Sequence, residues 1–115
     1  MTSYNGEKYI VEQLESIRVQ TLPPDEVIIS DDKSSDNTTE IVEGYIHQHG
    51  LAGWRIIKNP VNLGYVKNFW KTILQTKGDY IFLADQDDIW KQNKIESMVE
   101  IMGKTSARSE ERRVG

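Results

Sequence analysis

The segment Asp85-Gln86-Asp87-Asp88 places three carboxylates in four residues, between the apolar run DYIFLA (Asp79 to Ala84) and a helical pattern from Asn93 to Met102. Like charges repel, and they repel more strongly where water is excluded. Such a cluster is either a solvated turn that caps the next helix, or it holds something positive. Hard divalent cations such as Mg²⁺ or Mn²⁺ take oxygen ligands. An octahedral ion that keeps several waters needs only one or two protein carboxylates, and substrate phosphates supply further oxygens. An Asp-x-Asp at a strand end, followed closely by Trp90, suits that role.

Asp31-Asp32 ends a second apolar run, EVIIS (Glu26 to Ser30), in the same manner. Acids at strand ends bond sugar hydroxyls or base N–H groups in nucleotide-binding folds. They also cap helices, and Ser35 or Asp36 could share that task here. Lys67 and Asn68 stand on the first turn of a helix behind Asn62-Leu63-Gly64. A phosphate there would meet both the amine and the helix N-terminus. Taken alone, Lys67 reads as a surface lysine. His47 and His49 have no third ligand nearby and read as solvent-facing. No Gly-x-Gly-x-x-Gly and no Gly-rich loop ending in Lys-Ser/Thr is present, so those phosphate cradles are excluded.

These clusters need elements to position them. The spacing of Ile10, Leu14 and Ile17 predicts a helix within Gly6 to Gln20, capped by Asn5 or Gly6 and ended by Pro23-Pro24. EVIIS, WRIIK (Trp54 to Lys58) and DYIFLA read as strands. Further helices are expected from about Thr38 to His49, with Ser35 or Asn37 as cap, and from Val66 to Thr76, with Phe69, Ile73 and Leu74 on one face. Trp54, Phe69 and Trp70 are expected in the core. Alternating strands and helices argue for an α/β fold with a mostly parallel sheet flanked by helices. Ligands then bind outside the carboxyl ends of the strands. Thr2-Ser3-Tyr4-Asn5, Asp31-Asp32 and Asp85 to Asp88 would share that edge.

Bulk composition narrows the classes. The chain has 115 residues and a net charge of -4, which argues against a general nucleic-acid grip. It has no cysteine, so disulfides and thiolate metal sites are excluded and a cytoplasmic location fits. No apolar run approaches the roughly 20 residues of a membrane-spanning helix.

The blocks TSYNGEKYI, QT, EVIISDDKSSDNT, NLGYVKNF, GDYIFLADQDDIW and KIE stand in the order found in family 2 glycosyltransferases of the GT-A fold, and the chain resembles bacterial rhamnosyltransferase-like members that build cell-surface polysaccharide. The resemblance runs from about Met1 to Met102. It implies a GT-A, Rossmann-like nucleotide-sugar-binding half and a UDP- or dTDP-linked sugar donor, with rhamnose as the sugar. The acceptor would be a saccharide or a lipid-linked sugar, handled at or near the cytoplasmic face of the membrane.

By that resemblance Thr2 and Tyr4 line the base pocket, with Glu7 near the nucleoside. Asp32 bonds the base, and Asp31 lies beside it. Lys67 and Asn68 match a basic-plus-Asn pair. Asp85 lies near the ribose, Asp87 on the metal, and Asp88 supports them, the metal being Mg²⁺ or Mn²⁺. The resemblance also implies that the family's first strand is lost or reduced to Met1, which threatens folding, and that the acceptor half with its general base is missing. No catalytic residue carries over, and a truncated chain of this kind is expected to bind donor without turning over. A non-catalytic nucleotide- or metal-binding fragment and a metal-dependent nucleotidyltransferase are the competing readings. A receiver-type signalling domain is a poorer one, because it needs a lone Asp at its own strand end.

Residues 103–115 read as a tail. Within it RSEERRVG (Arg108 to Gly115), back-translated as AGA TCG GAA GAG CGT CGT GTA GGG, reads in frame as a short-read sequencing adapter and is expected to be non-native. Resequencing the gene past Ser106 is expected to replace this tail, and a native stop codon after Gly115 would contradict the expectation.

Overall fold

The structure is a computed structural model and describes residues 1–76, 81–84 and 89–104. The elements run β1 (Thr2–Ser3), α1 (Ile10–Arg18), β2 (Val27–Asp31), α2 (Thr38–Gln48), β3 (Trp54–Lys58), α3 (Tyr65–Ile73) and α4 (Lys94–Lys104). Among the described residues the sheet has three strands in the order β1-β2-β3, and both pairings are parallel. Their register puts Ser3, Asp31 and Lys58 in one row at the carboxyl edge. Each parallel connection carries a helix. α1 packs on α2, α2 lies against β3, and α3 lies against β1 and β2.

β2 is buried along its whole length, as a central parallel strand covered on both faces should be. Ile29, Leu14 and Val42 are fully buried and anchor a core that also takes in Ile10, Trp54, Trp90 and Ile95. The first strand is short but in place. The Met1 amine donates to Ile28 O at 2.9 Å, Ser30 N donates to Met1 O at 2.8 Å, and Asp32 N to Ser3 O at 2.9 Å. The expected loss of this strand therefore does not open the sheet at β2.

On its other side β1 meets the fourth apolar run. Asp79 and Tyr80 lie outside the described residues, and Ile81 to Ala84 carry no strand assignment, but Thr2 N donates to Ala84 O at 3.4 Å. Just after the acid cluster the chain is clamped by Gln20, which follows α1 and bonds back to it at Ser16 O. Its Nε2 donates to Lys91 O at 2.7 Å, and its Oε1 accepts from Ile95 N at 3.0 Å.

Several local expectations shift. α1 stops at Arg18, ahead of Pro23-Pro24, and Tyr9 occupies its N-cap position without a side-chain bond. Asn5 instead turns with φ 49° and accepts from Ser35 N at 2.8 Å, tying β1 to the loop before α2. Asn37 sits at the α2 N-cap, yet Asp36 provides the cap, accepting from Thr38 N at 3.0 Å. α3 ends at Ile73 rather than Thr76, and α4 runs to Lys104.

Trp54 is buried as expected, and Phe69 is half-buried. Trp70 was expected in the core but is 63% exposed, and Leu74 is 80% exposed. The reason is that α3 turns Asn68 and Thr72 onto the sheet. Val66, Trp70 and Leu74, spaced by four residues, then form an outward stripe.

Burial lowers the Met1 amine from 8.0 to about 6. Below pH 6 the folded state carries the whole cost of a buried ammonium, and above pH 8 it carries none. Stability of the chain beginning at Met1 should therefore rise between pH 6 and 8 by roughly 2 kcal/mol. Urea midpoints across that range measure it, and a flat profile would contradict the burial of the amine.

Candidate nucleotide-binding edge

Side chains alternate along a strand, so neighbouring residues at the end of β2 point to opposite faces of the sheet. This separates the two acids. Asp31 turns with its row partner Ser3 toward the loop before α2. It is fully buried and accepts from Ser3 Oγ at 2.8 Å, Ser34 N at 2.8 Å and Ser34 Oγ at 2.6 Å. Ser30 and Asp32 turn the other way, toward α3 and the turn that precedes it.

Asp32, 5% exposed, accepts from Leu63 N at 2.7 Å, Gly64 N at 2.9 Å and Asn59 Nδ2 at 3.1 Å. Its carbonyl accepts from Asn62 Nδ2 at 3.2 Å. Burial works to raise the Asp32 pKa. The bonds from Leu63 N, Asn59 and Gly64 N, with the charge of Lys71, outweigh it and hold the carboxyl below its ordinary 3.8. Gly64, at φ 85°, takes the left-handed conformation that lets the chain turn from Leu63 into α3.

The other expected residues sort by depth. Thr2 is buried in β1. Asn68, 1% exposed, is carried inward. Its Oδ1 accepts from Ser30 Oγ at 2.6 Å, and its Nδ2 donates to Ser30 O at 3.0 Å. It is held inside the fold, whereas its neighbour Lys67 is exposed on the first turn of α3. Tyr4 is exposed at the end of β1. Glu7 is also exposed. Its backbone N–H donates to Asp36 Oδ2 at 3.2 Å, while its Oε2 accepts from Asn37 N at 3.2 Å. Lys33 is exposed in the β2–α2 loop, with φ 63°. Tyr4, Glu7, Lys33 and Lys67 thus border the carboxyl edge above a buried polar frame.

Asp85, Asp87 and Asp88 lie outside the described residues. Among the described residues no group of three His, Cys, Asp or Glu side chains could hold a metal ion. Asn59 and Lys71 are part of the frame and were not singled out from the sequence. Asn59 follows β3 directly, so the register that pairs Asp31 with Lys58 sets it beside Asp32, and that register is visible only in the folded sheet. A groove of about 380 Å³ opens at the other end of the sheet, lined by Met1, Val27, Phe69, Ile73, Phe82 and Ile95. Its lining is mostly apolar and its charged side chains, Asp25 and Glu26, are acids, so the polar edge is the better candidate for a phosphate.

The model of the glycosyl transferase family 2 matches residues 1–109. The chain belongs to this family. The dTDP-rhamnosyl transferase RfbG of Shigella flexneri is 39% identical over 107 residues, which is 89% of this chain and 36% of that protein. The putative teichuronic acid biosynthesis glycosyltransferase TuaG of Bacillus subtilis is 32% identical over 100 residues, 87% of this chain and 39% of that protein. Among solved structures, S. aureus TarS 1-349 in complex with UDP superposes with a TM-score of 0.79 at 28% identity, covering 90% of this chain and 30% of that one. This glycosyl transferase family 2 chain has the GT-A fold, and it spans about a third of the length of these relatives.

Replacing Asp32 by Ala leaves two backbone N–H groups and one amide without their acceptor, which should cost about 3 kcal/mol of stability. The depressed pKa of Asp32 adds stability above pH 3.8 that is lost as the pH falls below that value. Acid unfolding of the wild type should therefore be steeper than that of Asp32→Asn. Equal stabilities and equal acid slopes would show that the carboxylate does not hold the turn.

Proposed function

We propose that this chain is the donor-binding part of a glycosyltransferase that uses a nucleoside-diphosphate sugar. The observation that carries the reading is the family match across residues 1–109, joined to a polar edge at the carboxyl ends of β1 and β2. The relative solved with UDP supports a nucleotide as the ligand. Thr2 and Tyr4 would border the base, with Glu7 near the nucleoside. Asp31 and Asp32 would hold the loops that surround them. Lys67, on the first turn of α3, would meet the diphosphate, where an ammonium and a helix N-terminus both favour negative charge.

Asp85, Asp87 and Asp88 would hold Mg²⁺ or Mn²⁺. A cation there offsets the charge of the diphosphate leaving group when bound. The dTDP-rhamnosyl relative favours rhamnose as the sugar. A saccharide or lipid-linked acceptor of cell-surface polysaccharide, handled on the cytoplasmic side, follows from the same kinship. No residue of this chain is proposed as the general base, so the chain is expected to bind donor without transferring sugar.

Calorimetric titration of UDP and dTDP, with and without Mn²⁺, tests the reading. Binding that needs the metal and is lost in Asp87→Asn supports the donor site and names the base. A folded chain that binds neither nucleotide contradicts it. Metal-independent binding that persists in Asp87→Asn favours a plain nucleotide-binding unit.

A further inference from the structure

We infer that Asn59 and Lys71 are positioning residues that set the Asn62–Gly64 turn, and through it the first turn of α3, in the placement from which the edge meets its nucleotide. The last clause rests on the donor-site reading above; the placement of the turn does not.

Lys71 Nζ, which can only donate, lies 2.7 Å from Asn59 Oδ1. Asn59 Nδ2 therefore faces the other way and supplies both its protons, to Asp32 Oδ1 at 3.1 Å and to Asn68 Oδ1 at 2.9 Å. Turning the amide over would set its NH₂ against an ammonium and its oxygen against two oxygens. Lys71 thus fixes the orientation of Asn59. Asn59 is buried, so no water can take its place cheaply.

Asn68 is fixed in turn, because its Nδ2 donates to Ser30 O at 3.0 Å and its Oδ1 collects Ser30 Oγ and Asn59 Nδ2. With one Asp32 oxygen held by Asn59, both oxygens face Leu63 N and Gly64 N at 2.7 and 2.9 Å. The chain of bonds runs from a half-buried lysine on α3, across the end of β3, to the turn that starts α3. Lys71 also lies one helical turn beyond Lys67, so one cation secures the frame while the other stays exposed at the edge.

Amide hydrogen exchange on the ¹⁵N-labelled 115-residue chain tests this, in wild type, Lys71→Met, Lys71→Arg and Asn59→Asp. Lys71→Met keeps the stem and removes the donor. Asn59→Asp keeps the partner of Lys71 but removes the donor to Asp32. In both, the Leu63 and Gly64 amides should exchange about tenfold faster or more while the β2 amides keep their protection. Lys71→Arg, which can still donate to Asn59, should restore it. Unchanged Leu63 and Gly64 amides overturn the inference. So does an equal loss throughout β2, which would mark a general stabilising role only. In the same samples the affinity for UDP or dTDP should weaken about tenfold in Lys71→Met and recover in Lys71→Arg. If the wild type binds neither nucleotide, the donor-site reading falls, and the exchange rates alone decide whether Asn59 and Lys71 hold the turn.

Discussion

Two adjacent carboxylates at the end of a buried strand would repel each other if they faced the same way. The pleat of β2 sends Asp31 to one face of the sheet and Asp32 to the other, and each meets its own donors. On one face Asp31 joins β1 to the loop before α2 through Ser3 and Ser34. On the other, Asp32 joins β2 to the end of β3 and the start of α3. Remove either acid and a loop at the carboxyl edge loses its anchor. Buried backbone donors cannot go unpaired without cost, so these bonds decide where the loops stand.

The same geometry bears on the role proposed for the acids. The resemblance assigns Asp32 to the base, but its oxygens already accept from two backbone N–H groups and an amide. Its first task in this structure is to hold the turn at Asn62–Gly64. The groups left at the rim are Tyr4, Glu7, Lys33 and Lys67. They present an aromatic ring, an acid and two amines, a set suited to a base, a ribose and phosphates.

Much of this was legible in the sequence because it rests on local signals. WRIIK became β3 at its expected bounds, and EVIIS became β2 shifted by one residue, since short β-branched runs bounded by polar residues have few other uses. The helix over Thr38 to Gln48 followed its apolar spacing. What failed depended on partners far along the chain. Trp70 reads as core by composition, but Asn68 takes the sheet-facing side of α3, where Ser30 and Asn59 bond it, and Thr72 is buried beside it with its hydroxyl on Asn68 O. Neither Asn59, beside Pro60, nor Lys71 stood out in the sequence. Their roles arise from the register of β2 with β3, which no local pattern encodes. The strand at Thr2–Ser3 was also underrated, because its two residues are held by β2 rather than by their own propensity.

The carboxyl edge of β1 and β2, over a frame of buried acids, is the nucleotide site proposed here. The most direct test is to map the backbone amide shifts of the labelled chain as UDP or dTDP is added with Mn²⁺. The account predicts that the amides that move cluster at Tyr4 to Glu7, Lys33 to Asn37 and Leu63 to Lys67, while those lining the apolar groove at Val27, Phe69 and Ile95 stay in place. Shifts centred on that groove, or none at all in a folded chain, would contradict it.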